Sequence, residues 1–550
     1  MPSRFRFLAC CVAGCLATSL ALANDPASQQ LRDQQQTLRQ MEQQLRLERW
    51  QHGRARPQDD LPHAQAAVNR PCWQVTGIRL AGNQRLSTQA LAPTVRAHLQ
   101  PCMGVIEINQ LLKAITGHYV QTGYPTSRPY LQRQPQAGAT LDIVIVEGFV
   151  ESIELDADLP LSLQTAFPGL VGQPLYLPDL EQGLDQLNRL RAYQLSADLL
   201  PGERQGATRV VLQARQFAPR WHLESRFDNR GNVLTGRHRG HLLAGLDSPL
   251  GLNDDLRLAL MSSVLDAPGR SQGLSVYYRM PYGPWTFALS ASQLSYEAPL
   301  QRSPQRSSGS SRHQGASVER VLWRGQRGML SASTRLDRKQ LVNRIGKAVI
   351  PLQSPTLTTL EAGIELSWLG AGLWHANLGI VQGTGWLGAD RPGQHGAAPR
   401  TDFRKYRASL LHLRQGATQW PWRWQSELAL QYSSDVLPAV EQLLLSDDSN
   451  VRGFRQGNYS GASAGAWRNT VSQALATGGP VQIRPYMGLD LGWVRPAQGQ
   501  PAQRLAGAAA GVEVNVAHNR VRLDYQRALY ASDSPHLESG FWVMEWAANF

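Results

Sequence analysis

The chain has 550 residues, of which 42% are apolar and 18% charged, a length that suits two to four domains and excludes a small disulfide-stabilised scaffold. Its formal net charge is +13, but residues 1–220 carry 21 basic and 18 acidic side chains whereas residues 221–550 carry 34 and 24. The basic side chains neither cluster on one helix nor alternate with stacking aromatic residues, so we expect no nucleic acid partner.

The N-terminal residues have the features of an export signal. Arg4 and Arg6 precede an apolar run that ends in a small-x-small pattern at Ala23, which a signal peptidase would recognise. We therefore expect residues 1–23 to be a signal peptide. A lipoprotein signal ending at Cys15 is the alternative, but the apolar run continues beyond Cys15, where a lipoprotein would already be polar.

Residues 24–51 predict a helix with too little apolar surface for a core. From Ala27 to Trp50 the segment is rich in Gln and Arg, contains no Gly or Pro, and carries one narrow apolar stripe. At about 1.5 Å per residue this helix would be roughly 36 Å long, close to the thickness of a membrane. Residues 52–71 contain prolines among polar neighbours and are predicted to be a linker.

Two segments with the same order of elements follow, at residues 72–148 and 149–218. In the first we predict an alternating strand around residues 75–80, helices at 87–99 and 107–121, and strands at 127–134 and 140–147. In the second we predict a strand at 152–156, helices at 160–167 and 177–191, and strands at 194–199 and 207–215. Small β-α-α-β-β modules in tandem are typical of docking platforms rather than of enzymes.

Two cysteines, Cys72 and Cys102, remain once the signal peptide is removed. An exported chain with two cysteines is expected to pair them in a disulfide, because its compartment is oxidising. Two free thiols are the alternative.

Residues 219–550 consist of short runs in which apolar and polar side chains alternate. Val512, Val514 and Val516, for example, alternate with Glu513 and Asn515. Such alternation fits a soluble β-sandwich as well as a membrane barrel that is apolar outside and polar inside. No apolar run of about 18 residues follows the signal, which excludes transmembrane helices in the mature chain.

Three observations favour the membrane barrel. The export signal directs the chain beyond the inner membrane, and 13 of the 15 Trp lie beyond residue 220, as the aromatic girdles of such barrels require. The chain also ends in an alternating strand, Trp542 to Phe550, with an aromatic last residue. At roughly 20 residues per strand and connection, we expect about 16 antiparallel transmembrane strands.

No motif indicates catalysis. A P-loop, zinc-ligand spacing, a GxSxG turn and HExxH are all absent from the sequence, so we expect neither an enzyme nor a cofactor or metal ion. His238 and His241 are three positions apart and, on a strand, would face opposite sides, which argues against a shared metal.

Short motifs occur in a particular order along the mature chain. They are Pro71-Cys72, Ser127-Arg128-Pro129-Tyr130-Leu131, Val146-Glu147-Gly148, the run at 179–188, Asp228-Asn229-x-Gly231, Pro281-Tyr282-Gly283, Val451-Arg452-Gly453-Phe454, Trp467-Arg468-Asn469 and Gly488-Leu489-Asp490-Leu491-Gly492. Each is weak alone, but their order resembles the outer-membrane transporters of two-partner secretion. This is the hemolysin secretion/activation (ShlB/FhaC/HecB, or TpsB) family, within the superfamily of barrel-assembly proteins.

The resemblance implies an anchor for a long loop that folds back into the barrel. Arg452 at the loop tip would pair with Asp490 on an inward-facing strand, because an arginine in a barrel lumen requires a carboxylate or water. The implied anchor comprises Arg452, Gly453, Phe454, Gly488, Asp490 and Gly492. The alternative is that Arg452 faces water in the pore while Gly453 makes a turn.

The resemblance also implies the function and the partners. Residues 24–51 would plug the pore, with a free periplasmic tether as the alternative, and residues 72–148 and 149–218 would be periplasmic POTRA domains. Their edge strands would bind the amino-terminal secretion domain of a large β-helical exoprotein, which is then secreted and, in an additional role, activated.

Further partners would be outer-membrane lipid and lipopolysaccharide, and the barrel-assembly machinery during biogenesis. The resemblance points inward-facing charges toward a wide, Arg-lined pore that favours anions. A barrel-assembly insertase and a passive porin or adhesin are the alternative functions. Neither fits two POTRA modules preceded by a helix as well as a secretion pore does.

Overall fold

The computed structural model describes residues 72–550 apart from residues 266, 301–302, 392–400, 417–420, 447–449, 456, 458, 476–478, 497–498 and 535. The predicted signal peptide at 1–23, helix at 24–51 and linker at 52–71 lie outside the described residues. Among the helices that are described, none has the length and apolar content needed to cross a membrane.

The first module contains a four-stranded sheet with both helices packed against it. Its elements are β1 Trp73–Ala81, α1 Thr88–His98, β2 Cys102–Met103, α2 Val105–Gln121, β3 Arg128–Leu131 and β4 Ala139–Val146. The strand order is β2-β1-β4-β3, and β1 runs parallel to β4. Leu111 and Ile115 of α2 are fully buried against Ile143 of β4, which explains the 3.6-residue period of that helix.

The strand β2 was not predicted, because two residues are too few to show an alternating pattern. Its first residue, Cys102, pairs with Gln74 of β1. A disulfide joins Cys102 to Cys72, directly before β1, with the two Cα atoms 5.4 Å apart. The disulfide therefore ties the beginning of the first module to the connection between its helices.

The second module repeats the β-α-α-β-β order in a three-stranded sheet. Its elements are β5 Phe149–Leu155, α3 Leu163–Ala166, α4 Leu177–Asn188, β6 Tyr193–Pro201 and β7 Ala207–Phe217. The strand order is β5-β7-β6, with β5 parallel to β7. Leu180 and Leu187 of α4 are buried with Val210 and Leu212 of β7, so one face of the sheet is covered by helix.

Sixteen antiparallel strands close into a barrel, which confirms the predicted architecture and strand number. They are β8 Trp221–Asp228, β9 Arg239–Asp247, β10 Asp255–Ser263, β11 Arg270–Tyr282, β12 Trp285–Pro299, β13 Arg306–Arg324, β14 Gly328–Ile345, β16 Thr356–Leu369, β17 Leu373–Thr384, β18 Arg404–Gln415, β19 Trp422–Tyr432, β22 Ser463–Gln473, β23 Val481–Arg495, β24 Gln503–Val516, β25 Asn519–Ala531 and β26 Phe541–Asn549. Three two-residue strands lie in the connections: β15 Ala348–Val349, β20 Leu443–Leu444 and β21 Ser460–Gly461. The barrel closes where β26 pairs with β8.

The barrel is apolar outside and polar inside. On β16, Ile364, Leu366 and Trp368 are exposed on the outer surface, whereas Glu365 and Ser367 between them are buried toward the lumen. This is the arrangement that a lipid environment requires, because the outer surface must be apolar and every backbone polar group must find a partner in the closed sheet.

The second module is fastened to the barrel through the turn between β9 and β10. The amide of Asn253 donates to the backbone oxygen of Ser162 (2.7 Å) and to the hydroxyl of Thr165 (2.8 Å), and its oxygen accepts from the N–H of Ser162 (2.9 Å). Arg189, directly after α4, pairs with Asp255 at the start of β10. These contacts identify the end of the barrel that faces the modules.

Candidate functional site

The candidate site is formed by the long connection between β19 and β22, which folds into the barrel. Because the strands alternate in direction, this connection leaves the barrel at the end opposite the β9–β10 turn and the two modules. Within it, β20 pairs with β21 as a small hairpin. Beyond β20, Val451 and Arg452 are fully buried, which places the tip of the loop inside the barrel wall.

Arg452 at the tip is paired with Asp490 of β23. The guanidinium Nε lies 2.7 Å from one carboxylate oxygen of Asp490 and Nη2 lies 2.6 Å from the other, while the backbone N–H of Arg452 donates to the first oxygen at 2.9 Å. Nη2 also donates to the backbone oxygen of Asn469 on β22, at 2.9 Å. Both charged side chains are fully buried. The pair is therefore bidentate and shielded from water, a geometry that fixes the relative orientation of the two groups.

Two glycines allow the tip to approach the wall. A Cβ on Gly488 of β23 would lie 2.0 Å from Nη2 of Arg452, so only glycine leaves room for the guanidinium. Gly453 has φ +93°, a conformation that L side chains rarely adopt, and its N–H donates to the side-chain oxygen of Gln526 on β25 (3.2 Å). Gly453 thus allows the backbone conformation of the turn after Arg452, and Gly488 leaves space in the wall for the guanidinium.

The remaining residues of the predicted anchor pack around this pair. Phe454 is buried and makes an edge-to-face contact with Tyr459, with ring centroids 5.5 Å apart. A side chain on Gly492 would press against Val451 and Leu445 of the loop. All six predicted residues therefore lie at one place, where the loop tip meets β23.

Other residues of this site were not predicted from the sequence. A Cβ on Gly507 of β24 would lie 1.8 Å from the backbone oxygen of Arg452. Glu538, in the β25–β26 connection, accepts hydrogen bonds from the N–H groups of Arg455 and Gly457, both at 2.8 Å. These contacts go to the backbone of the loop, so no side-chain pattern in the sequence indicates them.

The structure separates the two histidines that were considered as metal ligands. His241 Nε2 lies 2.9 Å from a carboxylate oxygen of Asp228, whereas His238 stacks on Phe227. No group of three metal-ligating side chains occurs within the residues that the structure describes.

The sheets of the two modules end in edge strands, and part of the outer backbone groups of the second module is already bonded. Asn188 bonds both the N–H and the oxygen of Leu195 on β6, and residues 172–173 bond the backbone of Val150 on β5. In the first module the sheet ends at β2 and β3, and in the second it ends at β5 and β6. The longest of these edges is β6, with nine residues.

In the first module, Tyr119 lies beneath the sheet and its hydroxyl donates to Glu147 (3.0 Å). Burial and the neighbouring carboxylate raise the pKa of Tyr119, so the hydroxyl keeps its proton.

Comparison with known proteins identifies the family. Residues 206–514 match the profile of the haemolysin secretion/activation protein family ShlB/FhaC/HecB. The chain belongs to this family. Residues 73–148 match the ShlB-type POTRA domain, and residues 149–201 match a further POTRA domain profile.

Individual relatives agree with this assignment. The hemolysin transporter protein ShlB of Serratia marcescens is 33% identical over 83% of this chain and 81% of its own length. The outer membrane transporter CdiB of Escherichia coli O6:K15:H31 (strain 536 / UPEC) is 30% identical over 83% of this chain and 79% of its own. The solved structure of CdiB from Escherichia coli superimposes with a TM-score of 0.87 at 26% identity, covering 96% of this chain and 99% of that one.

Family and fold together establish what the barrel does. Members of the family are transporters, and the chain has their POTRA pair and their closed barrel over most of its length. It is an outer-membrane pore for protein translocation in two-partner secretion, with the POTRA domains in the periplasm. The loop that carries Arg452 therefore enters the pore from the extracellular side.

Proposed function

We propose that this pore recognises, secretes and activates one large β-helical exoprotein, of the hemolysin, adhesin or contact-dependent toxin class. The proposal is supported by relatives whose names describe them as hemolysin transporters, including ShlB at 33% and HpmB of Proteus mirabilis at 31% identity. The chain itself acts without catalysis, because transport would draw on the folding of the client outside the cell rather than on a nucleotide.

The client would dock on the POTRA domains by adding a strand to an exposed sheet edge. The amino-terminal secretion domain of the exoprotein would bind in extended form, with its backbone pairing to a POTRA edge and its side chains supplying specificity. The nine residues of β6 offer the longest such edge. This mode suits a client that must remain extended until it has crossed the pore.

The pair formed by Arg452 and Asp490 would fix the tip of the extracellular loop to the barrel wall. Its support is the fully buried bidentate contact between the two side chains. Removing one partner of such a pair leaves an uncompensated charge in a dry site, which is far more costly than losing an exposed ion pair. The anchor would therefore keep the loop in one defined position relative to β23.

Residues 24–51 would form a helix that occupies the pore before the client arrives. A helix and an extended chain compete for the same channel, so this segment would have to leave the pore before secretion begins. The support is the narrow apolar stripe and the roughly 36 Å length at about 1.5 Å per residue.

Membrane assembly would involve three further partners. The apolar outer surface, such as Ile364, Leu366 and Trp368 on β16, would contact outer-membrane lipid, and the extracellular ends of the strands would contact lipopolysaccharide. The alternating C-terminal strand β26, which presents Trp542 and Trp546 outward, would be the segment that the barrel-assembly machinery recognises.

Secretion of a defined client tests the proposed function. A candidate client, chosen as a long exported β-helical protein encoded by a neighbouring open reading frame, would be expressed with and without this chain, and its amount in the medium measured. We expect secretion to require this chain and to be lost when the amino-terminal secretion domain of the client is deleted. Equal amounts of client in the medium with and without the chain would refute the proposal.

A further inference from the structure

The connection between β19 and β22, here called the pore loop, carries a second buried charge site in its first half, separate from Arg452. The carboxylate of Glu441 lies 2.5 Å from Nζ of Lys339 and 2.9 Å from Nζ of Lys405. All three side chains are at most 5% exposed. Nζ of Lys405 also donates to the backbone oxygen of Glu441 (2.8 Å), and the amide of Gln431 donates to the same oxygen (3.0 Å). The carboxylate and the backbone of Glu441 are thus both held by the barrel wall.

This site lies on a different part of the wall from the tip anchor. Lys339 belongs to β14 and Lys405 to β18, whereas Asp490 belongs to β23. Around the barrel, five strands lie between β14 and β23, namely β16, β17, β18, β19 and β22, whereas only β19 and β22 lie between β18 and β23. The loop is therefore attached to the wall through two charge sites on different strands, and the site at Glu441 spans from β14 to β18.

Apolar contacts reinforce the attachment beside Glu441. Val440 is buried against Leu341 of β14 and Leu357 of β16. Leu437 is buried against Val381 of β17 and Phe403, next to β18. The segment from Leu437 to Glu441 therefore packs on the wall over several strands, in apolar clusters that do not include the residues around Arg452.

The residue types at this site are unusual for the chain. Only four lysines occur among the 55 basic residues, and two of them face Glu441. Two ammonium groups share one carboxylate, so removal of that carboxylate would leave two like charges buried side by side. Retention of the loop segment is therefore expected to depend strongly on the charge of Glu441.

We infer that Glu441 is a positioning residue for secretion, which holds the first half of the pore loop against β14 and β18 independently of the Arg452 anchor. The loop is thereby attached to the wall at two charge sites, one at Glu441 and one at Arg452. Passage of a client can release the tip at β23 while the segment from Leu437 to Glu441 stays attached and returns the loop to the pore.

Thiol labelling of intact cells tests this inference on the full chain. Leu437→Cys serves as the reporter, because Leu437 is 1% exposed and the two cysteines of the mature chain are joined in a disulfide. A membrane-impermeant maleimide is added outside the cells. We expect Glu441→Gln to raise the labelling rate of the reporter by about tenfold or more, since a buried charge pair has lost one partner.

Two comparisons separate positioning from general damage. Glu365→Gln is the matched control, since Glu365 is also a buried inward glutamate but faces His375 of the wall; it should leave the labelling rate within about twofold, as distant independent sites do. The charge exchange Glu441→Lys with Lys339→Glu and Lys405→Glu restores opposite charges and should return the rate toward that of the reporter alone.

Independence from the tip is tested with Arg452→Ala. This variant should expose a reporter at the tip, Phe454→Cys, and leave the labelling of Leu437→Cys within about twofold. If Glu441→Gln fails to assemble as a heat-modifiable barrel, Lys405→Met, which keeps the pair between Lys339 and Glu441, should give an intermediate rate.

The inference is overturned if assembled Glu441→Gln labels Leu437→Cys at the parental rate, or if Arg452→Ala exposes Leu437→Cys as strongly as Glu441→Gln does. It is also overturned if the charge exchange fails to restore protection. The inference rests on the loop geometry, whereas the proposed function rests on secretion by the unmodified chain, so the two can fail separately.

Discussion

A buried arginine is tolerated at the loop tip because neighbouring groups match its charge and its shape. Asp490 supplies two carboxylate oxygens, Asn469 supplies a backbone oxygen, and Gly488 leaves the space that the guanidinium fills. Inside a protein such a pair is weak evidence for stability but strong evidence for a specified position, because either charge alone would be costly to bury.

Substitution of Asp490 should therefore reduce secretion of the client even when the amount of assembled barrel is unchanged. Asp490→Ala leaves the guanidinium of Arg452 without a carboxylate, at a cost of about 3–5 kcal/mol to the docked loop. Asp490→Asn keeps the shape and one acceptor oxygen and should retain part of the secretion. The measurement is the secreted fraction of the client at equal amounts of heat-modifiable barrel; wild-type secretion by assembled Asp490→Ala would contradict the anchor.

The sequence led to Arg452 and Asp490 through the resemblance to a family, not through their spacing. Thirty-eight positions separate the two residues, and no local pattern relates a loop residue to a strand at that distance. Gly507 and Gln526 were missed because they contact the backbone of the loop, which any residue type provides. Glu441 was missed as well, although the scarcity of lysine in an arginine-rich chain is a signal that could have directed attention to Lys339 and Lys405.

The elements of the POTRA domains follow closely from local patterns. Helix α2 begins at Val105 rather than at residue 107, because the side chain of Glu107 accepts the N–H of Gly104 at 2.8 Å and so caps the helix two residues earlier. The barrel strands are equally visible as alternation, since one face of each must be apolar. The strand β2 and the β20–β21 hairpin were not predicted, because their two-residue strands depend on tertiary contacts.

The β9–β10 turn is an element whose role the sequence did not reveal. Asn253 in this turn has φ +59° and is fully buried, and its side chain makes three hydrogen bonds to Ser162 and Thr165. A buried asparagine in a left-handed conformation with all its polar atoms engaged indicates a joint between two domains rather than a simple turn.

Variants at Asn253 should loosen the second POTRA domain from the barrel to graded extents. Asn253→Gly loses the side-chain hydrogen bonds but keeps the backbone conformation, whereas Asn253→Ala adds a strain of about 1–2 kcal/mol. We expect amide hydrogen exchange around Ser162 to be accelerated more in Asn253→Ala than in Asn253→Gly; unchanged exchange in Asn253→Ala would show that the joint lies elsewhere.

For the whole molecule, the positive net charge reflects charged side chains in the barrel rather than a surface for nucleic acid. The excess belongs to the barrel, but inward arginines are paired with carboxylates at several places, as Arg279 and Arg257 are with Asp255 and Arg522 is with Asp524. The lumen is thus lined by charges of both signs. That the pore favours anions stays a prediction. Because arginines are paired with carboxylates in the lumen, we expect this preference to be weaker than the net charge suggests.

Deletion of residues 27–50 should raise single-channel conductance in planar bilayers. If this segment plugs the pore, its removal opens a channel that the extracellular loop alone only partly fills. A chain in which the same segment is retained but tethered to the periplasmic side should behave like the deletion. Equal conductance of the full chain and the deletion variant would assign these residues to the periplasm instead.

The client is expected to cross the outer membrane through the lumen of this barrel. Site-specific photo-crosslinking during secretion tests it most directly, with the crosslinker placed at Ser333 or at Thr334, adjacent residues of β14. Ser333 has the inward parity of Lys339, whereas Thr334 has the outward one and is exposed. Adducts with the client at position 333 and none at position 334 are predicted; adducts at neither position while secretion proceeds would contradict the account.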